Sequence, residues 1–214
     1  RQVMEFEEIA LVDGVEHTYI SIKFPLFDAA GDLFAMCGIS TDITVRKQRE
    51  NLLYDVAVKL CSIPDESLFE DVVRYLGPRL GVGFVMIGRL RDGAPDQVIS
   101  VAACENGQLI TDLNYDLLGT PCAYVVGREF YCVPRGLQQL FPGDNMLSSA
   151  GYESYAGYPL YDSADRPLGL LAVTHRAPLN DIPFVESILK IFSLRVAAAL
   201  ERRMAEQEKR AAEE

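Results

Sequence analysis

The stretch that most constrains this chain is Gly38-Ile39-Ser40-Thr41-Asp42-Ile43-Thr44-Val45-Arg46-Lys47-Gln48-Arg49-Glu50. An apolar strand ends there and a charged helix begins, with almost no loop between them. A strand period gives way to a helical period within about 5 residues. Such a joint couples a sheet rigidly to a helix. Thr44 or Asp42 is placed to cap that helix, because a short side-chain oxygen accepts from a free first-turn N–H.

Upstream of the joint, residues 1–43 read as three strands, roughly Val3–Leu11, His17–Phe27 and Leu33–Ile43. Asp13-Gly14 supplies the positive φ of a hairpin turn, and Asp28 to Asp32 forms the next turn. Three strands with one uncovered face are marginal alone. They are expected to rest on the helix that follows or on a second chain. Residues 44–62 form a connecting helix in which Leu53, Val56, Leu60 and Ile63 keep 3-4-3 spacing. That stripe suits a seam between two parallel helices or packing on the next domain, and both readings stand.

Downstream, Leu68–Leu80 reads as an amphipathic helix that ends near Gly77-Pro78 and Gly81. Strands follow at Phe84–Arg91 and Gln97–Cys104, with Asn106-Gly107 as a hairpin turn and Leu109–Asn114 continuing the sheet. Residues 115–151 are irregular: a short helix over 119–126 with Thr120 as its cap, a strand at Phe130–Val133, and helical turns at Leu137–Phe141 and Asn145–Ala150. Two strands come next, Ser154–Tyr161 and Leu168–His175. The apolar run Gly169–Val173 belongs to a central strand buried on both faces. The final helix starts at Asn180-Asp181, and Ile182, Val185, Leu189, Phe192, Val196 and Ala199 share one face. After Leu200 that face turns polar through Arg203, Glu206, Arg210 and Glu213, as in a helix leading to a further module. The fold class is α+β.

With 214 residues, 49% of them hydrophobic and 24% charged, the chain can bury a core and is not disordered. A net charge of -11 argues against nucleic acid and anionic membranes as partners. No apolar run approaches the ~18 residues of a membrane span. Arg1 to Glu5 lack a signal-peptide pattern. A cytoplasmic location without direct membrane insertion is expected. Cysteines stand at 37, 61, 104, 122 and 132 with no CxxC pair, as free thiols of a reducing compartment do. His17 and His175 alone make a histidine-rich metal site unexpected.

Two family resemblances sit on this pattern. Lys23-Phe24-Pro25-Leu26-Phe27-Asp28 and Gly38-Ile39-Ser40-Thr41-Asp42-Ile43, with Thr44 completing an Asp-Ile-Thr triplet, resemble the C-terminal part of a PAS domain running into its signalling helix. The half of such a domain that walls a ligand pocket is not in this sequence, so ligand sensing by residues 1–43 is not expected. Residues 52–200 resemble a GAF domain. Gly119-Thr120-Pro121-Cys122, Cys132-Val133-Pro134 with Phe141-Pro142, and Ser154-Tyr155-Ala156-Gly157-Tyr158-Pro159-Leu160-Tyr161-Asp162-Ser163 leading to Leu168-Gly169 carry the match. The expected organisation is a PAS C-terminal part over 1–43, a connecting helix over 44–62, a GAF domain over 52–200 and an exit signalling helix over 201–214.

The resemblance implies a module lying between PAS and output domains in bacterial sensor histidine kinases or diguanylate cyclases. GAF domains usually bind a ligand between the sheet and an irregular cover, here residues 115–151. That places Cys122, Tyr124, Arg128, Cys132, Tyr152 and Tyr155 as candidate ligand contacts, although the same residues would serve as ordinary core. Bilin-binding GAF domains attach their chromophore to a cysteine commonly followed by histidine. Here Glu105, Ala123 and Val133 follow Cys104, Cys122 and Cys132. The Asn-Lys-Phe-Asp-Glu set of cyclic-nucleotide GAF domains is missing, and His175, the residue to test as a haem ligand, ends a strand. The ligand and any cofactor stay unassigned.

The expected function is a non-catalytic sensory relay. It works as a homodimer through the connecting and exit helices, with Leu53, Val56, Leu60, Leu189, Phe192 and Val196 as seam residues. The alternative is a redox-active GAF domain, either a thiol sensor or an enzyme resembling the free methionine sulfoxide reductases, using Cys122 and Cys132. Those reductases use a further downstream cysteine, and none follows Cys132. The sequence carries no kinase glycine pattern, no Gly-Gly-Asp/Glu-Glu-Phe cyclase motif and no histidine in the exit helix.

Overall fold

A computed structural model describes residues 2–213. Arg1 and Glu214, the outer ends of the first and last expected segments, lie outside the described residues. The chain divides into two compact units at Asp55/Val56, inside one helix. Each unit is described by itself.

The first unit is an antiparallel meander in the order β1-β2-β3, comprising β1 (Met4–Val12), β2 (Val15–Phe27) and β3 (Leu33–Asp42). Strand pleating sorts its side chains onto two faces. On one face lie Glu8, Ser21 and Ser40, and the fully buried Ser21 hydroxyl bonds both of its neighbours. Lys23 stands 3.6 Å from Glu8 and 4.8 Å above the Phe6 ring. The other face carries Ile9, Leu11, Ile22 and Ile39, most of them exposed. The strand-to-helix joint is held by the middle strand. Thr18 accepts from the Ile43 N–H at 2.8 Å and its own N–H donates to the Thr44 hydroxyl oxygen at 2.9 Å. Thr44 is therefore occupied by β2 and does not cap the helix. Asp42 does the satisfying: its carboxylate accepts from the Thr44 N–H at 2.8 Å, the first orphan donor of α1 (Thr44–Ser62), and from His17 at 2.7 Å. Lys47 of α1 reaches Glu7 at 2.8 Å.

The second unit is a sheet in the order β6-β5-β4-β10-β9-β8. Its strands are β4 (Phe84–Arg91), β5 (Ala94–Glu105), β6 (Gln108–Ile110), β7 (Asn114–Asp116) pairing β5, β8 (Tyr131–Val133), β9 (Ser154–Tyr161) and β10 (Pro167–His175). All pairings are antiparallel. The expected strand over 109–114 is split in two because Asp112 adopts φ 61°, a turn conformation that interrupts pairing. β5 starts earlier than expected, since Gly93 with φ 76° closes a tight hairpin. Leu170, Leu171 and Val173 are fully buried, as the central position of β10 requires. Gly88 and Gly169 allow β4 and β10 to cross closely; a Cβ at Gly169 would sit 2.0 Å from the Gly88 carbonyl oxygen.

One face of this sheet is covered by α2 (Leu68–Leu80) and α5 (Ile182–Glu213). Phe192 of α5 meets Tyr75 of α2 at 5.8 Å between ring centroids. The stripe Val185, Ile188, Leu189, Phe192, Val196 and Leu200 is core. Val56, Leu60 and Ile63 are buried too, and Leu53 is half-buried. Val56, Leu60, Leu189, Phe192 and Val196, expected as seam residues between copies, are buried within this one chain. The opposite face carries the irregular cover, which includes α3 (Leu137–Leu140) and α4 (Asn145–Ala150), the latter capped by Asp144 accepting from the Met146 and Leu147 N–H groups. Among the described residues no helix is long and apolar enough to cross a membrane.

The Thr44 hydroxyl first, then the Thr44 N–H, with smaller help from His17, hold the Asp42 carboxyl down, from 3.8 to about 2. Its folded pKa is depressed, so its contribution is present above pH 3.8 and is lost as pH falls through about 2. Asp42→Ala should speed amide exchange at Thr44 and fray the first turn of α1 at neutral pH, and should remove the acid-dependent loss of protection there, as read by hydrogen exchange.

Candidate functional site

The cover begins at a hairpin end and crosses the sheet with its apolar residues turned inward. Leu117, Val125, Leu137, Phe141 and Leu147 pack on Phe84, Met86, Val98, Leu170 and Ala172 of the sheet. The space where the sequence places a ligand is thus filled by the chain itself. At its centre lies Cys122, 6% exposed, in a 3-10 turn over Pro121–Tyr124. The Tyr115 hydroxyl donates to its sulfur at 3.2 Å and the Tyr155 hydroxyl at 3.4 Å. Burial pushes the Cys122 thiol up, against the smaller opposing effect of the two phenols. Tyr115 and Tyr155 lie well above the ordinary phenol range, first through burial and then through the neighbouring sulfur. A nucleophilic cysteine needs the reverse shift. The expected short helix would have offered Cys122 a helix start, but a four-residue 3-10 turn gives little dipole, and the Thr120 hydroxyl donates backwards to the Leu117 carbonyl instead of capping it.

Tyr155 reaches Cys122 because position 157 is glycine. Both lie on one face of β9, and the Tyr155 ring leans along the strand over Gly157. A Cβ on Gly157 would come 2.4 Å from the Tyr155 hydroxyl and 2.7 Å from Val125.

The six candidate contacts separate into four places. Cys122 and Tyr155 meet in the interior. Tyr152 is also buried, but it serves an edge cluster: its hydroxyl donates to Glu105 at 3.0 Å, and Arg176 bonds the same carboxylate at 3.0 Å while lying over the Tyr152 ring. Burial first, then Glu105, pushes the Tyr152 phenol up to about 12. Tyr124 and Arg128 face outward. Tyr124 is 48% exposed, stacks on Tyr131 at 5.0 Å, takes Phe141 edge-on at 5.8 Å and has the Arg128 guanidinium 5.7 Å above its ring. They border an open cleft of about 440 Å³ whose other walls include Leu118, Leu140 and Pro142.

Cys132 is in a fourth place. On β8 it alternates with Tyr131 and Val133, whose side chains join the cover-side core, so Cys132 points to the helix side. Burial, and behind it Glu186 of α5, raises its thiol to about 11. The pairing of Cys122 with Cys132 as a redox couple is therefore corrected: the sheet separates the two thiols, and each is held protonated. Sequence reasoning missed Tyr115, Gly157 and the Glu105–Arg176 pair. Tyr115 lies outside the quoted motifs, and Gly157, though inside one, carries no side chain to single out.

Residues 66–201 match the family model described as GAF domain, well over half of the chain. The chain belongs to the GAF domain family. The GAF domain of an Acinetobacter phosphoenolpyruvate-protein phosphotransferase is similar at 15% identity and TM-score 0.58, over 75% of this chain and 98% of that one. The chromophore-binding domain of Stigmatella aurantiaca phytochrome P1 is similar at 13% identity and TM-score 0.55, over 89% of this chain and 72% of that one. Free methionine-R-sulfoxide reductase from Neisseria meningitidis, solved with its substrate, is similar at 14% identity and TM-score 0.55, over 72% of this chain and 91% of that one. At these identities the likeness is one of fold. No curated protein sequence matches the chain.

Cys61 is exposed, whereas Cys122 is buried. Brief iodoacetamide treatment of the native protein at neutral pH should alkylate Cys61 and leave Cys122 untouched until denaturant is added, as read by peptide mass spectrometry. The folded state holds the Cys122 and Cys132 protons more tightly than the unfolded chain does. Stability should therefore be level through neutral pH and decline as pH rises from 9 towards 11.

Proposed function

We propose that this chain is a sensory relay module of a bacterial signalling protein of the sensor histidine kinase or diguanylate cyclase type. It works in the cytoplasm as a homodimer and performs no chemistry itself. A PAS-derived meander over residues 1–43 leads through a connecting helix over 44–62 into a GAF domain over 52–200, and the helix from 201 onward carries the signal out. The observation that carries this reading is the build of α5. It is one helix of 32 residues, whose buried positions run from Val185 to Leu200 and whose remainder is almost wholly exposed. A displacement of the sheet or of α2 is then transmitted along a rigid rod to its free half. The rod is also fastened to the segment that follows α1. Arg195 donates to the Ile63 carbonyl at 2.6 Å and to Asp65 at 3.1 Å, and Arg202, two turns on, bonds the other Asp65 oxygen at 2.9 Å.

In this reading a small ligand binds on the outer side of the cover, in the open cleft. Tyr124 offers it an aromatic face and Arg128 a cation, which suits a flat anionic molecule. Contact between copies runs along the exposed side of α1 where Tyr54 and Val58 succeed one another by a turn. The raised thiols and their separation by the sheet favour the relay over a reductase.

Two assays on the full chain test the reading. Incubation with free methionine sulfoxide and dithiothreitol should consume no sulfoxide; turnover that Cys122→Ser abolishes would make the chain an enzyme. Sedimentation should show a dimer of the 23.7 kDa chain that Val58→Glu weakens by about tenfold or more. A monomer at all concentrations would remove the dimeric part of the reading.

A further inference from the structure

Beside α5, at the β8–β9 edge of the sheet, runs a second cleft of about 660 Å³, which meets the cover only at residues 128–130. Its floor is apolar. Phe130 and Tyr158 meet at 6.2 Å between ring centroids, and Pro159, Leu194, Ala197 and Ala198 complete it. Leu194 is 70% exposed, on the side of α5 turned away from the buried stripe of the same helix. A large aliphatic side chain held open on a rigid helix, beside two aromatic rings, is an unfilled contact.

The rim is acidic. Glu129, Asp165 and Glu186 stand around the floor, and Arg128 is the one cation among the described lining residues. Two further carboxylates build the wall. Glu201 accepts from the Ser163 hydroxyl at 2.6 Å and from the Ser163 N–H at 3.2 Å. Asp162 accepts from the Ala164 and Arg166 N–H groups at 2.9 and 2.8 Å and is ion-paired by the Arg166 Nε at 2.7 Å, so it serves the wall as structure and the free acidic charge of the rim comes from Glu129, Asp165 and Glu186. The Arg166 N–H bond leads the effects that hold the Asp162 carboxyl below its ordinary value, so it stays charged. These bonds fix the β9–β10 turn against α5 and give the cleft a stiff side.

We propose that this cleft is a docking site for a basic amphipathic segment of a partner protein. An apolar ridge of that segment seats on Leu194, Phe130 and Tyr158, and lysines or arginines on either side of the ridge face Glu129, Asp165 and Glu186. Charge complementarity selects the occupant. A nucleic acid or an anionic lipid surface meets like charge here. A second copy packed through the same patch brings two acidic rims together, which is repulsive. A segment seated on Leu194 touches the helix that leaves the domain, so its binding is placed to bias that helix directly. The proposal is independent of any ligand at the cover.

The test uses the full chain and two fluorescein-labelled synthetic helices that share a leucine face, one with lysines on its polar face and one with glutamates. Fluorescence anisotropy should show binding of the lysine helix, weakening with added salt, and none of the glutamate helix. Leu194→Arg should weaken the lysine helix by about tenfold or more, as expected at the centre of a contact. Leu33→Arg makes the same charge change at a meander residue that is 62% exposed and should weaken it less than about twofold. Both substituted side chains are exposed, so both variants should keep the native circular dichroism spectrum. Equal effects of the two variants would reduce the binding to general attraction by an acidic protein and overturn the proposal. So would a failure of the lysine helix to bind, or self-association that Leu194→Arg abolishes, which would assign the cleft to a second copy.

Discussion

The cover side of the sheet depends on one missing side chain. With hydrogen at position 157, the Tyr155 ring lies along β9, and its hydroxyl meets the Cys122 sulfur beside Val125. Tyr115 closes on the same sulfur from the other side. Three polar groups thereby satisfy one another in an apolar interior, where each alone would be costly to bury. The same contact fills the volume beneath the cover and keeps the thiol protonated. Packing and chemistry have one cause here: the residues that make the core tight also make the cysteine inert.

The sheet then sorts the remaining features by face. On the cover side, the accessible chemistry lies outside, where Tyr124, Phe141 and Arg128 border an open cleft. On the helix side, α2 and α5 bury a continuous apolar stripe, and α5 runs on past it. Asp65 ties this helix to the segment after α1 through two arginines spaced by two turns. Individually such exposed ion pairs add little stability. Their value here is geometric, because Arg195 also bonds a backbone carbonyl and so fixes helix register.

Most of the architecture was legible from period alone. The alternation in β2 and β3, the apolar run of β10 and the spacing in α2 and α5 each reflect burial that repeats along the element. The joint at Asp42-Ile43-Thr44 was legible as a joint, but not which oxygen would cap it. That depended on Thr18 of the middle strand, which claims the Thr44 hydroxyl. The candidate site was less legible for the same reason. Cys122 and Cys132 are close in sequence, yet the face a three-residue strand presents is set by its pairing with β9 and not by its own pattern. Likewise, 3-4 spacing identified Leu189 and Phe192 as an apolar face without naming what covers it, and in the fold the sheet and α2 do.

The central claim is that the space under the cover is occupied by the chain's own packed side chains, with Gly157 as the condition. Urea unfolding of Gly157→Ala, followed by tyrosine fluorescence, tests it most directly. A Cβ 2.4 Å from the Tyr155 hydroxyl forces the ring or Val125 to move, so the account predicts a loss of about 1–3 kcal/mol. An unchanged unfolding midpoint would mean that the interior has room to spare, and would contradict the account.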